Sequence, residues 1–393
     1  MAVRASQVVT IIADDLTGAC DTGCLFTGPG PVGVLAEPDL PRTDRDVIAV
    51  DTESRALPAD AAGAAVRATA GRLRERLARG YVFKKIDSTM RGAVGVEIAA
   101  MLEHDPPFSG ALVCPAFPAL RRVVRHGRLL VDSVPVHESA IGRDPAFPAA
   151  TSDMAGLLGG AGPVVLLGLD DVRAGREKIA HVLEQHRGAV VAADAETDAD
   201  LAALAEAALT VSGTLVAGSA GLGRALSQAL GCVGPIVALP RGGARLVVVG
   251  SLHPASRAQL AAIAGRGPTI TADAYGHGNL APAIAALASG RPAVVASATT
   301  PGSRVAIARH LALAAATILA RAPADLVAVT GGDTAYALIR ALGPRRLDLL
   351  GAPADGLALG RLGLAGGREL TLLTKAGGFG PADVLTTILG GTP

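Results

Sequence analysis

Short β-branched runs alternate with Ala-, Leu- and Arg-rich stretches from one end of the 393-residue chain to the other, and this alternation most narrows the folds open to it. Runs such as VVTIIA (8–13) and VIAVD (47–51) carry apolar residues at successive positions, so both faces of each strand are to be buried. That suits parallel strands with helices on both sides better than half-exposed antiparallel ribbons. The expectation is an α/β protein. A single core stops growing near about 250–300 residues, so two domains are expected, each with a largely parallel sheet flanked by helices.

In the first half, strands are expected at Val8–Ala13, Val32–Ala36, Val47–Asp51, Tyr81–Ile86 and Ala111–Cys114, with helices near Ala59–Arg79 and Val94–Glu103. Between Arg121 and Pro148 the pattern weakens into a basic, Pro-containing stretch, with short strands expected at Leu129–Val131 and Val134–His137. It reads as a flap or hairpin over a site. His137 and Glu138 there are candidates to titrate or bind ligand, against the plainer structural reading of a lone His. Alternation resumes at Val164 and continues through Val190–Ala193 and Leu215–Ala217. The Gly/Pro-rich segment 232–245 reads as a linker, dividing an N-terminal domain over 1–235 from a C-terminal domain over 245–393. Strands of the latter are expected at Val247–Val249, Ala293–Ser297, Leu326–Thr330 and Leu370–Thr374.

Composition removes several function classes. Half the residues are hydrophobic and 18% are charged, which excludes a disordered chain. With no Trp, three Tyr, six Phe and a net charge of +1, there is neither a stacking platform nor a basic block, so no nucleic-acid partner is expected. The longest apolar stretch, Leu311–Ala320, is about half of the ~20 residues a membrane span needs. The N-terminus lacks a signal peptide's long apolar region, and the expected location is cytoplasmic. Cys20, Cys24, Cys114 and Cys232 make no disulfide framework, and nothing completes a metal ligand set around Cys20 and Cys24, which read as buried thiols.

The chemistry-bearing residues cluster just after predicted strands, where open α/β sheets gather ligands. ADDLTGACD (13–21) places Asp14, Asp15 and Thr17 at such an end, able to hold a hydroxylated ligand or act as a base, though one Asp could simply cap the next helix. A dehalogenase-type phosphatase would need Asp at position 16, which is Leu. DTESR (51–55) offers the planar fork of Arg55 for a carboxylate or phosphate. In FKKIDSTMRG (83–92), strand alternation sends Lys84 and Lys85 to opposite faces and leaves Asp87, Ser88, Thr89 and Arg91 in a loop. Hydroxyls, a carboxylate and cations within eight residues suit a polyhydroxy acid, and a buried Lys must find a partner.

In the second half, VVVGS ends at Ser251, and VTGGDTAYAL puts Gly331, Gly332, Asp333 and Thr334 between a strand and a helix. Glycines before a helix expose N–H groups to an anion. TKAGGFG (374–380) adds Lys375, to neutralise phosphate, and Gly377 and Gly378, to let backbone approach closely. There is no Walker A pattern and no G-x-G-x-x-G fingerprint.

Taken in order, ADDLTGACD, DTESR, KKIDSTMRG, CPAFP, GSAGL, VVGS, GGDTA and KAGGFG resemble the four-carbon acid sugar kinase family over residues of about 8 to 390. The resemblance implies a sugar-acid-binding N-terminal domain and a nucleotide-binding C-terminal domain. It implies that ATP, with Mg2+, phosphorylates a terminal hydroxyl of acids such as threonate, erythronate or 3-oxo-tetronate. Acid contacts would be Asp14, Arg55 and Lys84 to Ser88; ATP contacts would be Ser251, Gly331 to Thr334, and Gly377 or Gly378. Arg55 and Lys85 would hold the acid's carboxylate, and Asp14, Asp15 or Asp87 would orient the attacking hydroxyl, with closure of an interdomain cleft excluding water. The family reads CPAFP, two residues, then Gly-Arg; this chain has Arg121-Arg122, which implies an altered flap and substrate choice. The second lobe is short between Ser251 and Gly331, implying a trimmed adenine pocket or interdomain contact. Two rival readings are a kinase for another hydroxy acid and a non-catalytic sugar-acid sensor. Sugar acid and ATP are the expected partners, without nucleic acid or membrane, and a homo-oligomer is left open.

Overall fold

The computed structural model describes residues 8–36, 45–103, 108–144, 147–299, 302–344 and 346–390. Residues 1–7, read above for a leader, lie outside it, as do Pro145 and Ala146 of the basic stretch. The chain forms two compact units that divide between Val233 and Gly234, with residues 30–34 belonging to the second.

The first unit is built on strands β1 (Val9–Ala13), β3 (Val47–Asp51), β4 (Tyr81–Lys85), β5 (Gly110–Cys114), β9 (Val164–Leu167), β10 (Val190–Ala193) and β11 (Thr214–Gly218); β2 (Val32–Ala36) enters below. They run parallel in the order β3-β1-β4-β11-β5-β10-β9. All five residues of β1 and all five of β3 are buried, as a strand covered on both faces requires. Each large apolar side chain so buried contributes about 1.5–3 kcal/mol, which is why VVTIIA and VIAVD lie in the sheet interior.

The basic stretch folds into an antiparallel hairpin of β6 (Arg122–Arg125), β7 (Arg128–Val131) and the short β8 (Val134–Pro135), the last followed by a turn of 3₁₀ helix over Val136–Glu138. The expected hairpin is present, and β6 adds a strand that RVVR did not announce. Asp194, just past β10, accepts from the N–H groups of His126 (2.7 Å) and Gly127 (2.9 Å) and anchors the tip. The helix expected over 59–79 is two, Ala59–Arg72 and Arg74–Leu77, broken at Leu73.

The second unit contains β12 (Arg245–Val249), β13 (Thr269–Ala272), β14 (Ala293–Ser297), β15 (Leu326–Thr330), β16 (Arg346–Gly351), β17 (Leu357–Gly363) and β18 (Glu369–Lys375). Strands β13-β14-β12-β15-β18 are parallel, and β17 and β16 extend the sheet antiparallel. Val32, Gly33 and Val34 of β2 pair antiparallel with β16, so a strand from the start of the chain completes this unit. Val247, Val249, Val294, Ala328 and Leu373 form its core. Both units are thus largely parallel sheets flanked by helices, as the alternation implied. Among the described residues no helix is long and apolar enough to cross a membrane, and Cys20, Cys24, Cys114 and Cys232 are buried and joined in no disulfide.

Candidate functional sites, one in each unit

In the first unit the ends of β1, β3 and β4 deliver ADDLT, DTESR and KKIDSTMR to one place. The loop after β3 is held against the end of β1 by backbone bonds from Thr52 N–H to Ala13 (3.0 Å) and from Arg55 N–H to Asp14 (3.1 Å). This puts the Arg55 guanidinium among three carboxylates. It donates through Nε and Nη2 to the two oxygens of Asp14 and through Nη2 to Asp15 Oδ1, with Asp87 Oδ1 at 3.9 Å from Nη1. Arg91 grips Asp87 with a second fork, Nε at 2.8 Å and Nη2 at 2.6 Å. Arg122, from the flap, donates to Ser88 Oγ.

These neighbours set the protonation of the carboxyls. Burial pushes Asp14 up, but the charge and hydrogen bonds of Arg55, with Lys84 and Lys85, outweigh it and hold the group below its ordinary range. Asp87 is likewise opposed by burial and held well below by Arg91, Arg55 and Arg122. Both stay ionised, and a carboxylate so stabilised is a poor base. Asp15 differs in access: its side chain is 13% exposed against 3% for Asp14 and 7% for Asp87. Asp15 also caps the helix Leu16–Leu25, accepting from Gly18 N–H (2.9 Å) and Thr17 Oγ1 (2.6 Å). The capping reading therefore holds for Asp15, which also pairs with Arg55.

Lys84 and Lys85 do point to opposite faces. Lys84 Nζ lies 2.6 Å from Glu97 Oε2, both side chains almost fully buried. The contact is an ion pair by charge and distance, without the angle of a good hydrogen bond. Glu97 Oε1 accepts from Ser54 Oγ (2.8 Å), which shares a hydrogen bond with Thr52 Oγ1. Lys84 is thus a buried tie between β4, the helix Val94–Leu102 and the DTESR loop. Lys85 Nζ donates to Ile86 O (2.8 Å), and a Cβ placed on Gly18 would lie 3.2 Å from Nζ, so Lys85 packs under the ADDLT turn. Glu53 (φ 46°) and Met90 (φ 62°) hold left-handed backbone in the two loops, strain of the kind that gathers at binding sites.

CPAFP and GSAGL join the same unit's site: Ser219 Oγ donates to Ala116 O (2.7 Å), and Ile86 N–H to Gly218 O (2.9 Å). Arg122 was singled out in the sequence only as half of an altered dipeptide. Its place after CPAFP, at the start of a basic flap, was the available signal. Arg121 instead turns outward in left-handed backbone (φ 53°) and pairs with Asp132 on the surface.

The second unit gathers VVGS, GGDTA and KAGGFG at the ends of β12, β15 and β18. Lys375 O accepts from Gly331 N–H (3.1 Å), linking two of the loops. A Cβ on Gly250 would collide with Thr334 Oγ1 and one on Gly377 with Ser251 Oγ, while Gly331 (φ 96°) lies against Ser251. Here glycine is required by close approach. Gly332, Asp333 and Thr334 open the helix Gly332–Leu342, with Asp333 half exposed and 3.3 Å from Arg304. Gly378 packs on His253. Lys375, expected to face phosphate, is fully buried beneath the loop, its Nζ donating to Ala376 O (3.1 Å) and Gly377 O (3.3 Å).

Comparison with known proteins gives the two units separate descriptions. Residues 9–226 match the family model of a sugar-binding N-terminal domain, and residues 246–385 that of a nucleotide-binding C-terminal domain. A D-threonate kinase from Bordetella bronchiseptica is 36% identical over 405 residues, covering 96% of this chain and 95% of its own. A 3-oxo-tetronate kinase from Methylobacterium radiotolerans is 34% identical over 420 residues, covering 96% and 97%. A solved chain from Salmonella typhimurium LT2 shares the fold, with a TM-score of 0.79 at 21% identity over 96% of this chain and 98% of that one.

Proposed function

The chain belongs to the family that joins a sugar-binding N-terminal domain to a nucleotide-binding C-terminal domain, and on that premise we propose that it is an ATP-dependent kinase of a four-carbon sugar acid. The substrate is of threonate, erythronate or 3-oxo-tetronate type, phosphorylated on a terminal hydroxyl. The observation that carries this is the gathering of eight scattered motifs into two clusters. One is rich in carboxylates, hydroxyls and cations; the other is built of glycines at strand ends.

In the acid site, the forks of Arg55 and Arg91 hold Asp14 and Asp87, so these carboxylates act as fixed anchors. The acid's carboxylate goes to Arg91, whose side chain is 31% exposed beyond its fork on Asp87, and to Arg122 beside Ser88. Arg55 serves as the hub that fixes Asp14, Asp15 and Asp87 against one another. Asp15, the most accessible of the three, orients the attacking hydroxyl. A loose phosphoryl transition state asks for positioning and charge more than for a strong base, which suits carboxylates kept ionised by arginines.

In the second unit, Ser251, Gly331 to Thr334, and Gly377 with Gly378 surround the nucleotide's phosphates. MgATP, when bound, supplies the transferable phosphoryl group. Mg2+ takes few protein ligands and completes its shell with phosphate and water, and Asp333, half exposed beside Gly331, is the carboxylate these loops offer it.

The test is ATP consumption by the purified chain over a panel of four- to six-carbon hydroxy acids. Turnover with a four-carbon acid is expected; preference for a longer acid would shift the acceptor, and binding without turnover of any acid would leave a sensor in place of a kinase.

A further inference from the structure

Carbonyls of the loop after β18 accept from buried side chains. Ala376 O and Gly377 O accept from the buried Lys375 Nζ, and Gly377 O accepts also from Ser256 Oγ (2.7 Å). Gln259, on the helix Pro254–Ala262, is 1% exposed, and its Nε2 donates to Phe379 O (3.1 Å), Gly380 O (2.9 Å) and Pro381 O (3.0 Å). Five carbonyls of this loop thus accept from three buried side chains, Lys375, Ser256 and Gln259. Because a trans peptide is planar, the C=O of one residue and the N–H of the next point in opposite directions. The N–H groups of Gly377 and Gly378 then face away from Lys375, and that of Gly380 away from Gln259. Among the described hydrogen bonds none is donated by Gly377 or Gly378 N–H. A run of backbone N–H groups on one side of a turn is an anion-binding concavity.

We propose that Lys375 and Gln259 are positioning residues for nucleotide binding: by drawing the carbonyls of 376, 377, 379, 380 and 381 inward, they aim the glycine N–H groups at the phosphates. The inference rests on the nucleotide reading of this unit. It assigns no phosphate contact to either side chain, which their burial precludes. It also explains the unusual placement of an amine at the end of β18 where, among the described residues, no carboxylate pairs with it. Lys375 Nζ reaches two successive carbonyls, those of Ala376 and Gly377.

The experiment uses the full chain and titrates ADP, with adenosine as the probe lacking phosphate, against Lys375→Met and Gln259→Met. Each variant is expected to melt cooperatively and to lose about ten- to a hundredfold in ADP affinity, as expected for misaimed charge-assisted hydrogen bonds, while adenosine binds as to the original chain. A cooperatively folded variant with unchanged ADP affinity overturns the proposal. So does an equal loss for ADP and adenosine, which marks general collapse of the loop. Should Lys375→Met fail to melt cooperatively, Gln259→Met decides alone. Absence of ADP binding by the unsubstituted chain sinks the nucleotide reading itself, whereas normal binding by chain and variants alike sinks only the positioning role.

Discussion

Arg55 holds Asp14 by two parallel hydrogen bonds, Nε to Oδ2 and Nη2 to Oδ1, each 2.8 Å long, across 41 residues of sequence. Removing the guanidinium leaves Asp14, Asp15 and Asp87 facing one another with little water between them. Arg55→Ala should therefore cost about 3–5 kcal/mol in urea unfolding, and Arg55→Lys should recover only part, lacking the planar fork. Full stability in Arg55→Ala would remove the hub role.

Lys84 and Glu97 should behave as a pair. Lys84→Met strands a buried carboxylate and should cost about 3–5 kcal/mol, whereas Lys84→Met with Glu97→Leu should return most of the loss. A double-mutant cycle by denaturation measures the coupling; additive losses would show that the contact is incidental.

Stability should depend on pH in two opposite ways. Asp14 and Asp87 have folded values below the ordinary 3.8, so the unfolded chain binds more protons near that pH. Their stabilisation is complete above it and is lost as pH falls through the folded values; Asp87→Asn should flatten this acid limb. Burial lowers Lys375 from 10.5 to about 8. The cost of burying its charge is present below about 8 and is relieved as pH rises towards 10.5, where the folded chain sheds the proton first. Unfolding midpoints should therefore rise over that interval, and Lys375→Met should abolish the rise.

Arg121 and Arg122 are neighbours with different fates. Arg121→Gly relieves left-handed strain of about 1 kcal/mol and adds chain entropy of similar size, and its exposed pair with Asp132 contributes little. Stability and turnover should stay close to their original values. Arg122→Gln should raise the KM for the acid by about tenfold and leave the KM for ATP in place. Equal effects on both KM values would remove Arg122 from the acid site.

The sequence made the strands that deliver the site legible because VVTIIA, VIAVD and YVFKK are dense in β-branched and aromatic residues and end in polar ones. Strands β16 and β17, RLDLLG and LALGRLG, escaped because leucine and glycine carry no such signature, and β13 escaped because TITA is short. The opposed faces of Lys84 and Lys85 followed from strand alternation alone. The partner of Arg55 did not, since its fork matches a ligand's carboxylate as well as Asp14, and only the meeting of β1 with β3 decides between them. Nor does any residue pattern tell which way the carbonyls of 376–381 turn; that depends on Gln259, more than a hundred positions earlier.

Strand β2 ends at Ala36 and its partner β16 begins at Arg346. At synthesis rates of about 5–20 residues per second, β2 leaves the ribosome roughly 15–60 seconds before β16 exists to pair with it, although its other neighbour, β3, follows at once. A nascent chain must therefore carry one unsatisfied edge of β2 through most of its translation, the kind of edge that invites pairing with the wrong strand.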